Sequence, residues 1–214
     1  MPGDALSNRK KSAVSSHDRI LEAAKHLFAS RGYESTSTAA IARLAGTSES
    51  QLMKHFGSKE GLLEAILERA WERMNSVAQS ILAKPVSPLA KLNLLTDMLL
   101  KTLERDADLK VLMLLEGRRI RGEAHMVVVT RGFRAFVRLM DSLLGEMQRA
   151  GILRRDLHPE AVRSALIGAY EGLLRDQLLA KRIGFPARYR ARHTRALFAA
   201  MWSAFLRKKP ARRR

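Results

Sequence analysis

The chain has 214 residues, of which 46% are hydrophobic and 28% charged, with a net charge of +18 and no cysteine. This composition can build an ordinary core of one or two domains, and it excludes both a disulfide framework and a thiolate metal site. No apolar run approaches the roughly 18 residues of a membrane span, and residues 1–16 have no apolar signal-peptide core, so neither is expected.

Residues 1–14 are polar, include Arg9, Lys10 and Lys11, and read as a disordered arm. A helix is expected from about Ser16 to Arg31, with Ile20, Ala24, Leu27 and Phe28 as its apolar stripe and Gly32 as its stop. A second runs from Thr38 to about Ala45. Its buried face is read as Ile41, Leu44 and Ala45, and Gly46 supplies the left-handed residue after it. Ser48 opens a third helix, Glu49 to Phe56. Its hydroxyl can cap the Gln51 amide while the Gln51 side chain reaches back, forming a capping box. Leu52 and Phe56 share one face of this helix. Two short helices joined by a tight turn make a helix-turn-helix layout, whose second helix can enter a DNA major groove. Ser58 then caps a fourth helix, Lys59 to about Ala83, striped by Leu62, Leu63, Ile66, Leu67, Ala70, Met74 and Val77.

Beyond it, Lys84-Pro85-Val86-Ser87-Pro88 breaks the chain, with Ser87 as N-cap and Pro88 at the first helical position. Leu89, Leu92, Leu95, Met98 and Leu99 define the next helix, and Asp108 is read as the cap of a shorter one. Gly117 to Gly122 reads as a loop. A long helix is expected from about Glu123 to Ala150, the β-prone Val127-Val128-Val129 notwithstanding. His158-Pro159 opens a helix to about Ala180, and Gly184-Phe185-Pro186 precedes a last one to about Leu206. The fold class is therefore all-α, with about nine helices.

The early elements carry a resemblance. The runs Ile20…Ala23-Ala24…Leu27-Phe28…Gly32-Tyr33, Ile41-Ala42…Ala45-Gly46…Ser48 and His55-Phe56-Gly57-Ser58-Lys59-Glu60…Leu62 closely resemble the TetR (tetracycline-repressor) family of transcription regulators over roughly residues 15–70. The resemblance implies a DNA-binding domain over 15–62 and a helical ligand-binding and dimerisation domain over 63–206. Residues 207–214 are left as a basic tail. The candidate DNA-binding residues are Ser37, Thr38, Thr47, Ser48, Ser50, Gln51, Met53, Lys54, His55 and Lys59. Gln can pair bidentately with adenine, Ser and Thr can bond several base edges, and Lys suits phosphates. Met53 departs from the family, which usually has Tyr there. A thioether is a weak acceptor where a Tyr hydroxyl could bond a phosphate, so Met53 is expected against sugar or a thymine methyl.

For the later helices the resemblance implies a four-helix dimer interface built from the last two helices of each subunit. Ala165, Gly168, Ala169 and Gly172 are its candidates, because Gly inside a helix costs about 1 kcal/mol relative to Ala and implies close backbone approach. Packing within the subunit is the competing reading. The implied ligand pocket is placed on Met98, Met113, Met126, Phe133, Phe136, Met140 and Tyr170, since flexible Met suits an adaptable wall. Arg118, Arg119, Arg121, Arg131 and Arg134 lie near it in sequence and suggest an anionic group on a mainly apolar ligand.

The charge is unevenly placed. Residues 1–60 hold 9 basic and 6 acidic side chains, whereas residues 161–214 hold 14 basic and 2 acidic. Charge alone would not single out the helix-turn-helix as a DNA reader. No HExxH spacing, phosphate-binding Gly loop or G-x-S-x-G elbow occurs, so no enzyme, metal or cofactor is expected. The expectation is a cytoplasmic, homodimeric DNA-binding regulator, a repressor released from its operator by a small molecule. An activator of the same fold, and a helical ligand- or protein-binding module without DNA function, are the alternatives.

Overall fold

The computed structural model describes residues 15–115, 120–121, 126–127 and 129–207. The arm 1–14, with Arg9, Lys10 and Lys11, lies outside them, as do Arg118, Arg119 and the tail from Lys208. Of Arg121 and Met126 only the backbone is described.

The described residues form nine helices: α1 (Ser16–Arg31), α2 (Thr38–Leu44), α3 (Glu49–Phe56), α4 (Lys59–Leu82), α5 (Pro88–Arg105), α6 (Ala107–Met113), α7 (Arg131–Arg149), α8 (Pro159–Ile183) and α9 (Ala191–Phe205). Two two-residue strands, β1 (Ile120–Arg121) and β2 (Met126–Val127), pair antiparallel before α7, with Ile120 opposite Val127. The chain divides into two compact units, one ending at Ala65 and one beginning at Ile66, so the division falls inside α4.

Most helix starts follow local capping chemistry. Ser15, Ser37, Ser48, Ser87 and Thr130 each accept a hydrogen bond from a first-turn amide. Three expectations are corrected. The cap of α6 is Asp106, whose carboxylate accepts from Leu109 N–H at 2.9 Å, and not Asp108. The long helix expected from Glu123 starts only at Arg131; Val127 is in β2 and Thr130 caps α7. The β-branched run is stiff and prefers extended backbone, and a cap-forming Thr follows it directly. Leu44, assigned to the buried face of α2, is 55% exposed, and that face is Ile41, Ala42 and Ala45.

In the first unit, Ile20, Leu27 and Phe28 of α1 close on Ile41 and Leu52 as a small buried core. The Arg19 guanidinium donates to Ala45 O at 3.1 Å and ties α1 to the turn after α2. Thr36 Oγ1, buried, donates to Gly32 O at 2.8 Å in the preceding loop. Gly46, at φ 63°, and Gly57, at φ 72°, supply the left-handed residues that end α2 and α3. Gly61 is required for another reason: a Cβ there would lie 2.2 Å from Phe56 O, so the α3–α4 corner closes only around glycine.

The second unit is built around Trp71, Met74, Leu92, Leu95, Phe136, Met140, Leu144, Met147, Leu166, Phe198 and Trp202. Its tightest junction joins α4 to the start of α7. Gly132 N–H donates to Glu68 Oε2 at 3.1 Å, and Asn75 Nδ2 donates to Gly132 O at 2.8 Å. A Cβ on Gly132 would sit 2.4 Å from Trp71 Cβ, whereas one on Gly168 would meet nothing within 4 Å. Arg207, read from sequence as the start of a loose tail, donates its N–H to Ile152 O at 2.9 Å.

These glycines give opposite expectations. Gly132→Ala should destabilise the second unit by about 1–3 kcal/mol through overpacking. Gly168→Ala should leave stability unchanged or raise it by up to about 1 kcal/mol through helix propensity. Urea unfolding of both variants at one protein concentration checks this, and equal stabilities would refute the packing argument.

Candidate DNA-reading surface and effector cavity

In the first unit α3 buries only Leu52 fully and turns the rest of its length outward. Ser48, Ser50, Gln51, Met53, Lys54 and His55 are exposed, and Thr47 is half-buried in the turn before them. Ser48 Oγ accepts from Gln51 N–H at 3.2 Å, but the return half of the expected capping box is not made. The Gln51 amide group is thus left for another partner. Met53, 42% exposed, is an apolar patch on the same surface.

The remaining candidates differ in how committed they are. Ser37 is exposed and caps α2, its hydroxyl accepting from Ala40 N–H at 3.2 Å. Thr38 donates its hydroxyl to Glu49 Oε1, which fastens α2 to α3. His55 packs edge-on against His17, with ring centroids 5.7 Å apart. Lys59 is turned inward. Its ammonium donates to Tyr33 O at 3.1 Å and Glu34 O at 3.4 Å and sits 4.5 Å over the Tyr33 ring. A phosphate would have to compete with those bonds, so the structure gives Lys59 a holding role in the α1–α2 connection. Sequence reasoning passed over Arg43, exposed in the last turn of α2. Its place next to the turn, on a helix buried only at Ile41 and Ala42, was the available signal.

Glu60, in the first turn of α4, has its carboxyl held below the usual carboxylate range. The main cause is a backbone amide hydrogen bond, supported by the Tyr33 and Ser58 side chains.

The second unit holds a cavity among α4, α5, α6, α7, α8 and α9. Its interior volume is about 80 Å³. Five sequence-derived pocket residues, Met113, Phe133, Phe136, Met140 and Tyr170, line it. Met98 is buried in the core and does not line it, and the Met126 side chain lies outside the described residues. Trp71, Phe198 and Trp202 line it as well and were missed; the only sequence signal was two Trp on helical stripes far apart in the chain.

The wall is almost entirely apolar, and its few polar groups are mostly satisfied. Arg163 Nη1 donates to Asp141 Oδ2 at 2.6 Å, and Thr96 Oγ1 donates to Leu92 O at 3.0 Å. Tyr170 is the exception: its hydroxyl is buried without a hydrogen-bond partner. Burial pushes its pKa well up, with Glu104 adding to the shift, so it stays a neutral donor. Of the expected arginines, the side chains of Arg118, Arg119 and Arg121 lie outside the described residues, and neither Arg131 nor Arg134 lines the cavity. Arg131 and Arg134 are exposed, the latter donating to Val129 O at 2.9 Å.

Of the small residues on α8, Ala165 and Gly168 are exposed, Gly172 is half-buried, and Ala169 packs inward on the core of the second unit. Among the described residues no cluster of three or more potential metal ligands occurs, and no helix is long and apolar enough to cross a membrane.

Comparison with known proteins places these features. The family described as bacterial regulatory proteins, tetR family, matches residues 20–66, and the YsiA-like protein C-terminal region matches residues 68–182. The nucleoid occlusion factor SlmA of Vibrio vulnificus is 32% identical over 114 residues, which is 53% of this chain and 55% of that protein. The HTH-type transcriptional repressor KstR2 of Mycolicibacterium smegmatis is 37% identical over 79 residues, 37% of this chain and 38% of that one. The chain thus spans about half or less of the length of the curated relatives it matches. The transcriptional regulator FadR from Bacillus subtilis, solved in complex with stearoyl-CoA, shares the fold with a TM-score of 0.73 at 19% identity, covering 88% of this chain and 96% of that one. The helix-turn-helix match together with a C-terminal match across more than half of the chain shows that the protein belongs to the TetR family of bacterial regulators, with a C-terminal region of the YsiA-like type.

Proposed function

We propose that the protein is a cytoplasmic, homodimeric repressor that leaves its operator when a mainly apolar ligand fills the cavity of the second unit. The observation that carries the DNA half is α3, which hides Leu52 and presents Ser50, Gln51, Met53, Lys54 and His55 together. Ser37, Thr38, Thr47 and Ser48 flank that surface. Gln51 reads a base edge, Lys54 meets a phosphate, and Met53 packs on sugar or a thymine methyl. The exposed small residues Ala165 and Gly168, with Gly172 beside them, are where a second copy packs.

The ligand half is supported by a cavity whose walls are mostly apolar, with Thr96, Arg163, Tyr170 and Glu171 as the polar residues of the lining and the Tyr170 hydroxyl unpartnered. The apolar chemistry of these walls suits a hydrocarbon, and the stearoyl-CoA complex of FadR, which shares the fold, points the same way. The chain segment common to both units is α4, which starts at Lys59 and brings Trp71 to the cavity wall. Ligand contact at Trp71 therefore acts on the same helix that follows the reading helix. Activation in place of repression, and a ligand-binding module without DNA function, are separated from this reading by one gel shift on the DNA flanking the gene followed by a reporter assay.

A symmetric dimer requires a pseudo-palindromic operator with half-sites one or more helical turns apart. Footprinting is expected to map two inverted half-sites, and a lone asymmetric half-site would reject the dimeric reader. Lys54→Ala should weaken binding to all sequences alike and flatten the salt slope by about 1. Gln51→Ala should instead lose about 1–3 kcal/mol of preference at one base pair. Fluorescence anisotropy on specific and random duplexes, across salt, reads both. Lys59→Ala should mainly lower the melting temperature, because its bonds hold the α1–α2 loop.

Release by ligand is a coupling free energy of about 1–3 kcal/mol and is reciprocal, so operator DNA must weaken ligand binding by the same factor. Calorimetry with long-chain acyl-CoA, with and without operator DNA, is expected to give unequal affinities. Equal affinities would exclude this mechanism however tightly the ligand bound.

A further inference from the structure

A second cavity, more polar than the first, lies where α5, α6, α8 and the start of α9 meet. It shares Leu103, Tyr170 and Leu174 with the apolar cavity, so one wall separates the two spaces. Lys110, half-buried, donates its ammonium to Gln177 Oε1 and is paired with no carboxylate among the described residues. Its pKa is lowered chiefly by desolvation, with the carboxylate of Glu104 acting in the opposite sense.

Arg190 stands at the N-cap of α9; its backbone N–H donates to His193 Nδ1 at 2.9 Å, and its guanidinium is exposed at the cavity edge. Thr194, one turn in, is 3% exposed, and its hydroxyl has no hydrogen-bond partner. The Tyr170 hydroxyl, also unpartnered, belongs to this wall too. Glu104 is the one carboxylate in the lining, and it faces Arg195 Nη2 at 3.6 Å. Two buried orphan hydroxyls each carry a desolvation cost unless something bonds them, and two cations lining the same cavity favour an anion there.

We propose that this polar cavity seats the anionic head, a phosphate or a carboxylate, of an amphipathic effector whose apolar body fills the adjoining cavity. Lys110 and Arg190 supply charge, and Thr194 and Tyr170 supply hydroxyl donors. The inference rests on the effector reading above, and it moves the cationic contact from the arginines near residues 118–134 to α6 and α9. Because the hydroxyls stay unpartnered without a ligand, a neutral head would satisfy them only in part. An anion can accept from both hydroxyls and both cations.

The test uses the full-length protein. Octyl phosphate, octanoate and 1-octanol, each below its micelle concentration, are titrated calorimetrically into wild type, Lys110→Gln, Thr194→Val and Arg190→Gln, and inorganic phosphate is followed by phosphorus NMR. At least one anionic amphiphile is expected to bind about tenfold or more tighter than 1-octanol, with that advantage largely lost in Lys110→Gln and Arg190→Gln while 1-octanol affinity stays the same. Which of the two anions gains identifies the head. Equal affinities for all three in wild type, or an advantage that survives in both variants, would overturn the seat. Should Lys110→Gln fail to fold, Arg190→Gln, at an exposed position, decides alone. If no amphiphile binds, the apolar-effector reading has failed. Inorganic phosphate broadened by wild type but not by Arg190→Gln then still supports the anion seat, and no broadening removes it.

Discussion

The second unit depends on the seam between α4 and the start of α7. Gly132 is held from both sides of its peptide by α4: Glu68 takes its N–H and Asn75 binds its carbonyl. Those two side chains are seven residues apart, two turns along one face, and Trp71 lies between them. The missing Cβ at Gly132 is what lets the backbone of α7 come down on Trp71. Once it does, Phe133 and Phe136 follow at helical spacing and meet the Trp71 ring, both with centroids 5.2 Å away. The cavity wall is thus a consequence of one glycine and two polar clamps. Aromatic area provides the burial, but the clamps fix where α7 begins.

That seam explains why the cavity was only partly legible in the sequence. Phe133, Phe136 and Met140 fall on one helical stripe, and so were found. Met98 falls on a stripe as well, but a stripe does not say whether a side chain meets a void or another side chain, and here it meets the core. Trp71, Phe198 and Trp202 come from helices at opposite ends of the unit, and nothing local announces that they converge. The start of α7 was misplaced because periodicity continues through Met126 while backbone preference does not. The Val-Val-Val-Thr run was the better guide, since β-branched stiffness and a cap-forming hydroxyl both act within a residue or two.

The helix-turn-helix was far more legible because its determinants are local. Ser37, Ser48 and Ser58 each cap the helix that follows, and Gly46 and Gly57 take the left-handed turns between. Burial was the weaker inference. A seven-residue helix has room for one buried pair and its cap, so α2 settles on Ile41, Ala42 and Ala45 and leaves Leu44 outside. Lys59 shows the limit in another way. Lysine at a helix start near DNA reads as a phosphate contact, yet the carbonyls and ring of the preceding loop offer it a nearer partner. Which partner a long cation takes is a tertiary fact.

The same holds for the net charge. Residues 161–214 carry 14 basic side chains against 2 acidic ones, which taken as a segment looks like a free positive field. Folding changes that count, because the acids that answer these bases come from earlier in the chain. Arg163 reaches Asp141 at 2.6 Å, and Arg195 reaches Asp97 at 2.8 Å. Such pairs, part-exposed, add little stability each, but they stitch α8 to α7 and α9 to α5 and cancel charge where a sequence window sees none. Lys110 and Arg190 stand next to the cancelled charges, and among the described residues neither forms an ion pair with a carboxylate. They come from α6 and from the edge of α9, 80 positions apart in the numbering, so no window along the chain could pair them. Only the meeting of α5, α6, α8 and α9 puts the two cations beside the two orphan hydroxyls, and it does so against the apolar cavity that the Gly132 seam creates.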